Sequence, residues 1–567
     1  MELKNSTKEK LDTLIAKYRK KYKIKGLAVS IQYLDTPIYE GLFGEASSNQ
    51  AVTKETKFMI GSTTKVFTAL AILQLMDQGK LTLDDAIKDH LPKLSIKEHK
   101  TYDEMTIRHV LMHTSGLPGD DLSMMFDSEI PQQSLIEKLS NHYRTHEPGV
   151  MFAYSNIGYA LLGLIVEKVS NKSYKEYLKD HIFAPLKINP LILETPKLRS
   201  KHKNSIAASY NQKGRTVEDP LSSMISAGTN TYASLNDMQK LASYFLKKNQ
   251  PKLLNAKTFE AMITPPKDGY MIKNEQRIGL GIRFNYAKFN HDAVGEVYGH
   301  GGNTFYHHSL FDLFPKPQLA LNIMNNAKKG ALFNQKIMPL IIQEIFLDQG
   351  IDIPKTIEHP TNPIPLDKRL RYSKDMVMID RKLSFSIDKN QDLSGKLGFF
   401  KYRLDESGDG FLKPVPKGIA KLKPFKKQIE PLRFLPKTVR DEDVLFFEVS
   451  SPYKKTLLPL ASNYQHPKIT EAWQSALGTY RPQGKYARLA QYVKGINLKI
   501  KQGALILTLK TPEASNTYYL LPIDEEKAII QGYGRGTKET VLLKYTQGRP
   551  TLMIQGLLCE RRKKKSR

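Results

Sequence analysis

Apolar positions fall in three textures along the chain. Ser6 to Ile24 has the spacing of a charged amphipathic helix. Leu27 to Tyr33 is apolar and β-branched, Asp35-Thr36-Pro37 reads as a turn, and Ile38 to Phe43 returns, which predicts two paired strands. From about 60 to 265 the pattern is mainly helical. Residues 62–78 carry Val66, Phe67, Ala69, Leu70, Ile72, Leu73, Leu75 and Met76, apolar around the whole circumference, so this helix is predicted to be buried. Gly79 follows where a C-terminal cap belongs. Further helices are predicted from Thr106 and over Ile157 to Val169, the latter capped by Ser155 or Asn156. Strand character resumes in Val294 to Tyr298, Phe305 to Phe314 and Leu319 to Met324, with Pro315-Lys316-Pro317 as a turn, and a helix over about 332–347 follows. Strands at both ends with helices between them predict an α+β domain in which the N-terminal strands join the later ones in one antiparallel sheet.

The third texture begins after residue 353. Pro354 to Pro365 holds four prolines and reads as a linker. Beyond it, short alternating segments such as Leu505 to Lys510, Tyr518 to Pro522 and Thr540 to Tyr545 are separated by turns, the signature of small barrels or sandwiches. The expected organisation is 1–353, a linker at 354–365, a β-rich domain at 366–466, and a second at 467–567 with a break near Gln465-His466-Pro467.

Composition narrows the classes. Of 567 residues, 40% are hydrophobic and 25% charged, which suits a folded globular protein. The single cysteine, Cys559, rules out an intramolecular disulfide and a multi-cysteine zinc site. The start, Met1-Glu2-Leu3-Lys4, is not followed by the apolar stretch of a secretory signal, and no run reaches the roughly 20 apolar residues of a membrane span, so a cytoplasmic protein is expected. The net charge of +29 is spread along the chain as a solvated surface would be. Its one compact cluster is the tail at 561–567, which can touch an anionic surface weakly; no specific nucleic-acid partner is expected.

Three segments carry candidate chemistry. Gly61-Ser62-Thr63-Thr64-Lys65 opens the buried helix. Positions three apart share a helix face, so Lys65 can reach the Ser62 hydroxyl and, if neutral in a desolvated site, accept its proton. Ser-x-x-Lys also occurs at Ser200, in a predicted polar loop, and at Ser386 and Ser451 in β-rich sequence, where no buried helix follows. Tyr154-Ser155-Asn156 precedes a helix and pairs a potential phenolate base with an amide that can bridge a lysine and a substrate; by itself it also reads as a surface tyrosine with a capping pair. His300-Gly301-Gly302-Asn303 is expected at a strand edge, where glycines let a substrate backbone approach; by itself it is also a plain strand and turn.

In this order, the three segments resemble the serine β-lactamase and penicillin-binding-protein superfamily. Leu111 to Pro118, Pro148 to Tyr159, and Ser226-Ala227-Gly228-Thr229 with Ser234 to Met238 are similar to signature loops of the branch holding class C β-lactamases, D-aminopeptidases and family VIII-type esterases. The resemblance covers about 20–350. It implies a β-lactamase/transpeptidase-like domain with Ser62 as the acylated nucleophile, proton transfer shared by Lys65 and Tyr154, substrate positioning by Asn156, and an oxyanion hole from the backbone N–H groups of Ser62 and Asn303, with Gly301 and Gly302 on the same strand. His300 replaces the lysine of the β-lactamases, which argues against efficient β-lactam hydrolysis and toward an esterase or D-amino-acid peptidase. Relatives also carry two antiparallel barrels or a lipocalin-like barrel after the catalytic domain.

The expected function is a metal-free, cofactor-free serine hydrolase acting on an amide or ester of a small-molecule or peptide substrate. A non-catalytic binding module for peptide or cell-wall fragments, and an anionic-surface binder, are the competing readings. His109 and His113, at i and i+4, lack a third ligand and are not read as a metal pair. His307-His308 reads as an alternating strand pair, Asp405 to Gly410 as a hairpin turn, and Gly532-x-Gly534-x-Gly536 as strand sequence without a phosphate-binding helix.

Overall fold

The computed structural model describes residues 1–126, 134–193, 195–219, 226–266, 277–285, 295–351, 360–378, 380–397, 400–418, 432–439, 442–451, 454–511, 515–532 and 536–562. An eight-stranded antiparallel sheet forms the centre of the N-terminal part. Its middle is the pairing of Gly26–Tyr33 with Leu319–Asn325, in register from Leu27 opposite Asn325 to Tyr33 opposite Leu319. The two ends of the segment thus meet in one sheet, and the mixed α+β architecture is that predicted from the hydrophobic pattern.

Strand alternation divides the core in two. Leu27, Val29 and Ile31 point to one face, where they meet Leu11 and Ile15 of the helix Asn5–Tyr22 and Phe333, Ile337 and Ile341 of the helix Gly330–Asp348. Ala28 points to the opposite face, whose core is made by the helices Thr64–Asp77, Asn156–Ser170 and Leu235–Leu246. The polar residues of the same strand are buried and bonded rather than exposed: Ser30 Oγ accepts from Asn322 Nδ2, and Gln32 Nε2 donates to the Gln239 carbonyl, although Gln32 Oε1 is left without a partner among the described residues.

Thr64–Asp77 is buried along nearly its whole length, as a helix apolar on every side must be. A 3₁₀ turn, Gly61–Thr63, leads into it, so Ser62 lies on the tighter turn and Lys65 on the first α turn. Gly79 has φ +69°, the left-handed conformation expected of a cap. Asn156–Ser170 is capped by Ser155, whose Oγ accepts from Gly158 N at 3.0 Å.

Two closed up-and-down barrels of eight strands follow. The first runs from Asp375–Val377 to Lys454–Asn463, each strand paired with the next, and these two end strands pair to close the ring. The second runs from Gly478–Pro482 to Leu557–Arg561 and closes by pairing its end strands in the same way. Leu505, Leu507 and Leu509 alternate into its interior with Ile496, Leu498, Leu543 and Trp473.

Several expectations are corrected. Part of the proline-rich segment is sheet: Thr361–Pro363 adds to the first barrel by pairing with Phe400–Ser407, an edge position where proline is tolerated. Ser200 lies in the short helix Pro196–Lys201, not a loop, because Thr195 caps it and Pro196 starts it. The strand Val297–Asn303 runs further than the expected end at Tyr298; within it, His300 to Asn303 pairs with His308–Phe314 on one side, while on the other side the pairing with Arg283–Asn285 stops at Gly299. Of the histidine pair, only His308 is in a strand; His307 precedes it. Val294, Pro354, Gly534 and the tail beyond Arg562 lie outside the described residues.

Candidate functional site

The site forms where the Gly61–Thr63 turn meets the strand Val297–Asn303. Contact is close because two glycines face each other. Gly61 has φ +54°, and a Cβ there would come within 3.0 Å of Asn303 N. A Cβ on Gly302 would come within 1.8 Å of the Ile60 carbonyl oxygen. The seam is pinned by hydroxyls: Ser309 Oγ donates to the Ile60 carbonyl at 2.7 Å, and Thr63 Oγ1 lies 2.9 Å from Ser309 Oγ and donates to the His300 carbonyl at 3.3 Å. The Asn303 backbone N–H is thereby held beside the turn that carries Ser62, which is half-buried.

Lys65, on the α turn that follows, is fully buried. Its Nζ lies 3.5 Å from Ser62 Oγ, 2.7 Å from Asn156 Oδ1 and 2.9 Å from the Gly228 carbonyl oxygen. It also lies 4.9 Å from the Tyr154 ring centroid and 5.2 Å from that of Tyr159, so aromatic faces surround the amine. Gly228 leaves room for this approach, since a Cβ there would come within 3.2 Å of Nζ. The structure therefore brings together Ser62, Lys65, Tyr154 and Asn156, with Tyr154 presenting its ring to the lysine.

The orientation of Asn156 is fixed from behind. Its Nδ2 donates to Asp120 Oδ1 at 2.9 Å, which leaves Oδ1 facing Lys65. His113 supports the tyrosine. It adopts φ +57°, stacks on Tyr154 with centroids 4.2 Å apart, and accepts the Ser155 N–H on Nδ1 at 3.1 Å. Asp120 and Gly228 were missed as site residues in the sequence. His113 was seen only as part of a loop motif. Asp120 follows Pro118-Gly119 in a loop, where no periodicity marks a buried carboxylate.

His300 is 4% exposed. Burial, then the charges of Arg283 and Lys65, hold its imidazole well below the ordinary histidine range. Its Nδ1 lies 2.7 Å from the Gly301 carbonyl oxygen. A neutral ring donates there from Nδ1, which leaves Nε2 as an acceptor. Arg283, on the neighbouring strand opposite Gly299, is a nearby cation that sequence reading did not flag. His308 Nδ1 pairs with Asn303 Oδ1 at 2.8 Å and so fixes the side chain of the strand's last residue. An aromatic group stands near the site: Phe305, two residues after Asn303, packs on Phe126 at 5.7 Å, and Phe126 stacks on Tyr492 of the second barrel at 5.1 Å.

Among the described residues, no group of three or more His, Cys, Asp or Glu side chains could hold a metal ion, and no helix is long and apolar enough to cross a membrane.

Protein flp of Staphylococcus aureus (strain MW2) is 31% identical over 218 residues, covering 38% of this chain and 43% of that protein, so the chain spans less than half the length of such relatives. Penicillin-binding protein 4 of Amycolatopsis lactamdurans is 24% identical over 372 residues, covering 63% of this chain and 94% of its own. Among solved structures, SurE superposes with a TM-score of 0.56 at 21% identity over 81% of this chain and 99% of its own. The octameric penicillin-binding protein homologue from Pyrococcus abyssi does so with 0.50 at 18% identity over 98% and 99%. These two show the fold, including its extension beyond the first domain. The Beta-lactamase family matches residues 11–341, more than half of the chain, and with the sheet, the buried helix and the Ser62–Lys65 turn in place, the chain belongs to that family.

Proposed function

We propose that the protein is a serine hydrolase that cleaves an amide or ester through an acyl-enzyme on Ser62. One observation carries the reading: a fully buried lysine amine 3.5 Å from the Ser62 hydroxyl, with two oxygen acceptors closer to it. Asn156 Oδ1 and the Gly228 carbonyl each take one N–H. Ser62 Oγ lies 3.5 Å from the same nitrogen. As a neutral amine, Lys65 takes the serine proton as Oγ attacks the carbonyl carbon. Tyr154, against the same amine, is the second group in proton transfer to the leaving group. The backbone N–H groups of Ser62 and Asn303 receive the developing oxyanion, and Asn156 holds substrate as well as lysine.

His300 narrows the substrate. A neutral imidazole with an acceptor nitrogen gives no charge to a β-lactam carboxylate, and it suits a substrate group that donates a hydrogen bond. This favours an ester or a peptide with a free amine over a β-lactam. A solved structure of SurE with D-Leu is consistent with a D-amino-acid substrate on this fold.

The test is labelling by a fluorophosphonate probe and hydrolysis of a short-chain p-nitrophenyl ester, in wild type and Ser62→Ala. Both are expected in wild type and absent from the variant. Folded wild type that neither labels nor turns over ester refutes the reading in favour of a binding module.

A further inference from the structure

The second barrel reaches the loop behind the site. Glu539, immediately before the strand Thr540–Thr546, is buried, and its Oε1 accepts the Gly119 N–H at 2.9 Å across 420 residues of sequence. The other face of the Gly119 residue is gripped from the catalytic side: its carbonyl accepts the Asn156 N–H at 2.8 Å, and the preceding Pro118 carbonyl accepts Ser155 Oγ at 2.6 Å. Next in sequence is Asp120, which orients the Asn156 amide toward Lys65. The barrel takes hold of the loop again two residues on, where the Leu122 N–H donates to the Gln555 carbonyl at 2.7 Å. Gly556 packs so tightly there that a Cβ would come within 1.9 Å of Asp121 Oδ2. Asp121 is tied in turn to His142 at 2.9 Å. The loop is thus clamped between the barrel and the start of the Asn156 helix.

We propose that Glu539 is a positioning residue of the acylation centre, acting through the Gly119 backbone and Asp120 to hold Asn156 against Lys65. The inference rests on the hydrolase reading above and deepens it: the second barrel completes the site rather than being a passive appendage. What matters is an acceptor oxygen at the reach of a glutamate. Burial pushes the Glu539 carboxyl above its ordinary range, opposed by hydrogen bonds from the Gly119 N–H and Gln555, while the charge of Asp120 acts with burial. A neutral side chain of the same length therefore fits the position.

Two variants of the full chain separate acceptor position from charge. Glu539→Gln keeps an oxygen at the same distance without the charge. Glu539→Asp keeps the charge and withdraws the oxygen by about one bond length. The fluorophosphonate inactivation rate and apparent probe affinity are measured for each. Hydrogen exchange of peptides covering 118–124 and 153–160 is followed alongside. Glu539→Gln is expected to stay within about threefold of wild type. Glu539→Asp is expected to lose about tenfold in the limiting rate with probe affinity unchanged, and to exchange faster in both peptides. Equal losses in both variants, a loss confined to Glu539→Gln, or wild-type rates in both would overturn the inference while leaving Ser62 chemistry standing. A folded wild type that never labels defeats the hydrolase reading itself. In that case unchanged exchange in Glu539→Asp also removes the clamp.

Discussion

Adjacent glycines on one strand should answer an added methyl in opposite ways. At Gly302 a Cβ would lie 1.8 Å from the Ile60 carbonyl oxygen and 2.5 Å from Ser309 Oγ, whereas real Cβ atoms essentially never come within 3.0 Å. The Ile60 carbonyl is backbone and directly precedes the nucleophile turn, so it cannot rotate away. In Gly302→Ala the strand and the turn must separate by about 1.2 Å, and the Asn303 N–H moves with the strand. Misplacing a catalytic group by 1 Å costs about 10²-fold, and losing one oxyanion donor costs about 10²–10³-fold, or about 2.7–4 kcal/mol. At Gly301 the nearest atom to an added Cβ is the Ser309 carbonyl oxygen at 3.7 Å, ordinary contact, so Gly301→Ala should remain within a few-fold of wild type. The assay is kcat/KM on a p-nitrophenyl ester together with the fluorophosphonate labelling rate, and circular dichroism with urea unfolding to show that Gly302→Ala folds despite about 1–3 kcal/mol of overpacking. Wild-type activity in folded Gly302→Ala, or equal losses in the two variants, would remove this strand from the oxyanion site.

Two further outcomes follow from buried polar groups. Asp120→Ala removes the carboxylate that orients the Asn156 amide, and labelling of Ser62 should slow by about tenfold, or about 1.4 kcal/mol, the order of one charge-assisted hydrogen bond; an unchanged rate would show that the Asn156 amide holds its orientation without it. Stability should also fall on acidification. Burial first lowers His307 to about 3, His308 to about 4 and His146 to about 4, all from 6.5; neighbouring cations add to it, and at His146 a hydrogen bond to the Glu147 carbonyl opposes it. The unfolded chain therefore binds more protons between about pH 6.5 and 4, so the stabilisation present above that window is lost as pH falls through it, at up to about 1.4 kcal/mol per pH unit for each histidine. Glu539, shifted upward, works weakly against this trend. Urea midpoints from pH 8 to 4 check it, and a flat profile would mean that these rings are not neutral and buried in solution.

How far the sequence disclosed this arrangement depended on how local each signal was. A helix apolar all round had to be buried, and the all-β texture after residue 366 is the texture of closed barrels; both are repetitive patterns that a short window reveals. Ser62 and Lys65 are three residues apart at the start of one helix, so their meeting at 3.5 Å was readable without the rest of the chain. The strand carrying His300 was ended too early because Gly301 and Gly302 erase the alternation that marks a strand; the close approach to the Ile60 carbonyl accounts for Gly302 alone. His113 was hidden for another reason. A non-glycine residue at φ +57° has no signature in a sequence, and its stacking on Tyr154 depends on a loop folding back across 41 residues. Asp120, after Pro118-Gly119, and Glu539, before a strand, carry no local sequence signal. Each has meaning only through its partner in space, because a carboxylate can be buried only where it is given donors. The donor to Asp120 is a side-chain amide from a helix start of the same domain, and the donor to Glu539 is a loop backbone N–H that it meets only where the second barrel docks on the first domain. The centre therefore divides into a part encoded within one helical turn, which performs the attack, and a part encoded by the docking of domains, which decides whether that turn is correctly backed. A chain lacking the second barrel would keep every motif that identified the site and lose the contact that holds Gly119 in place.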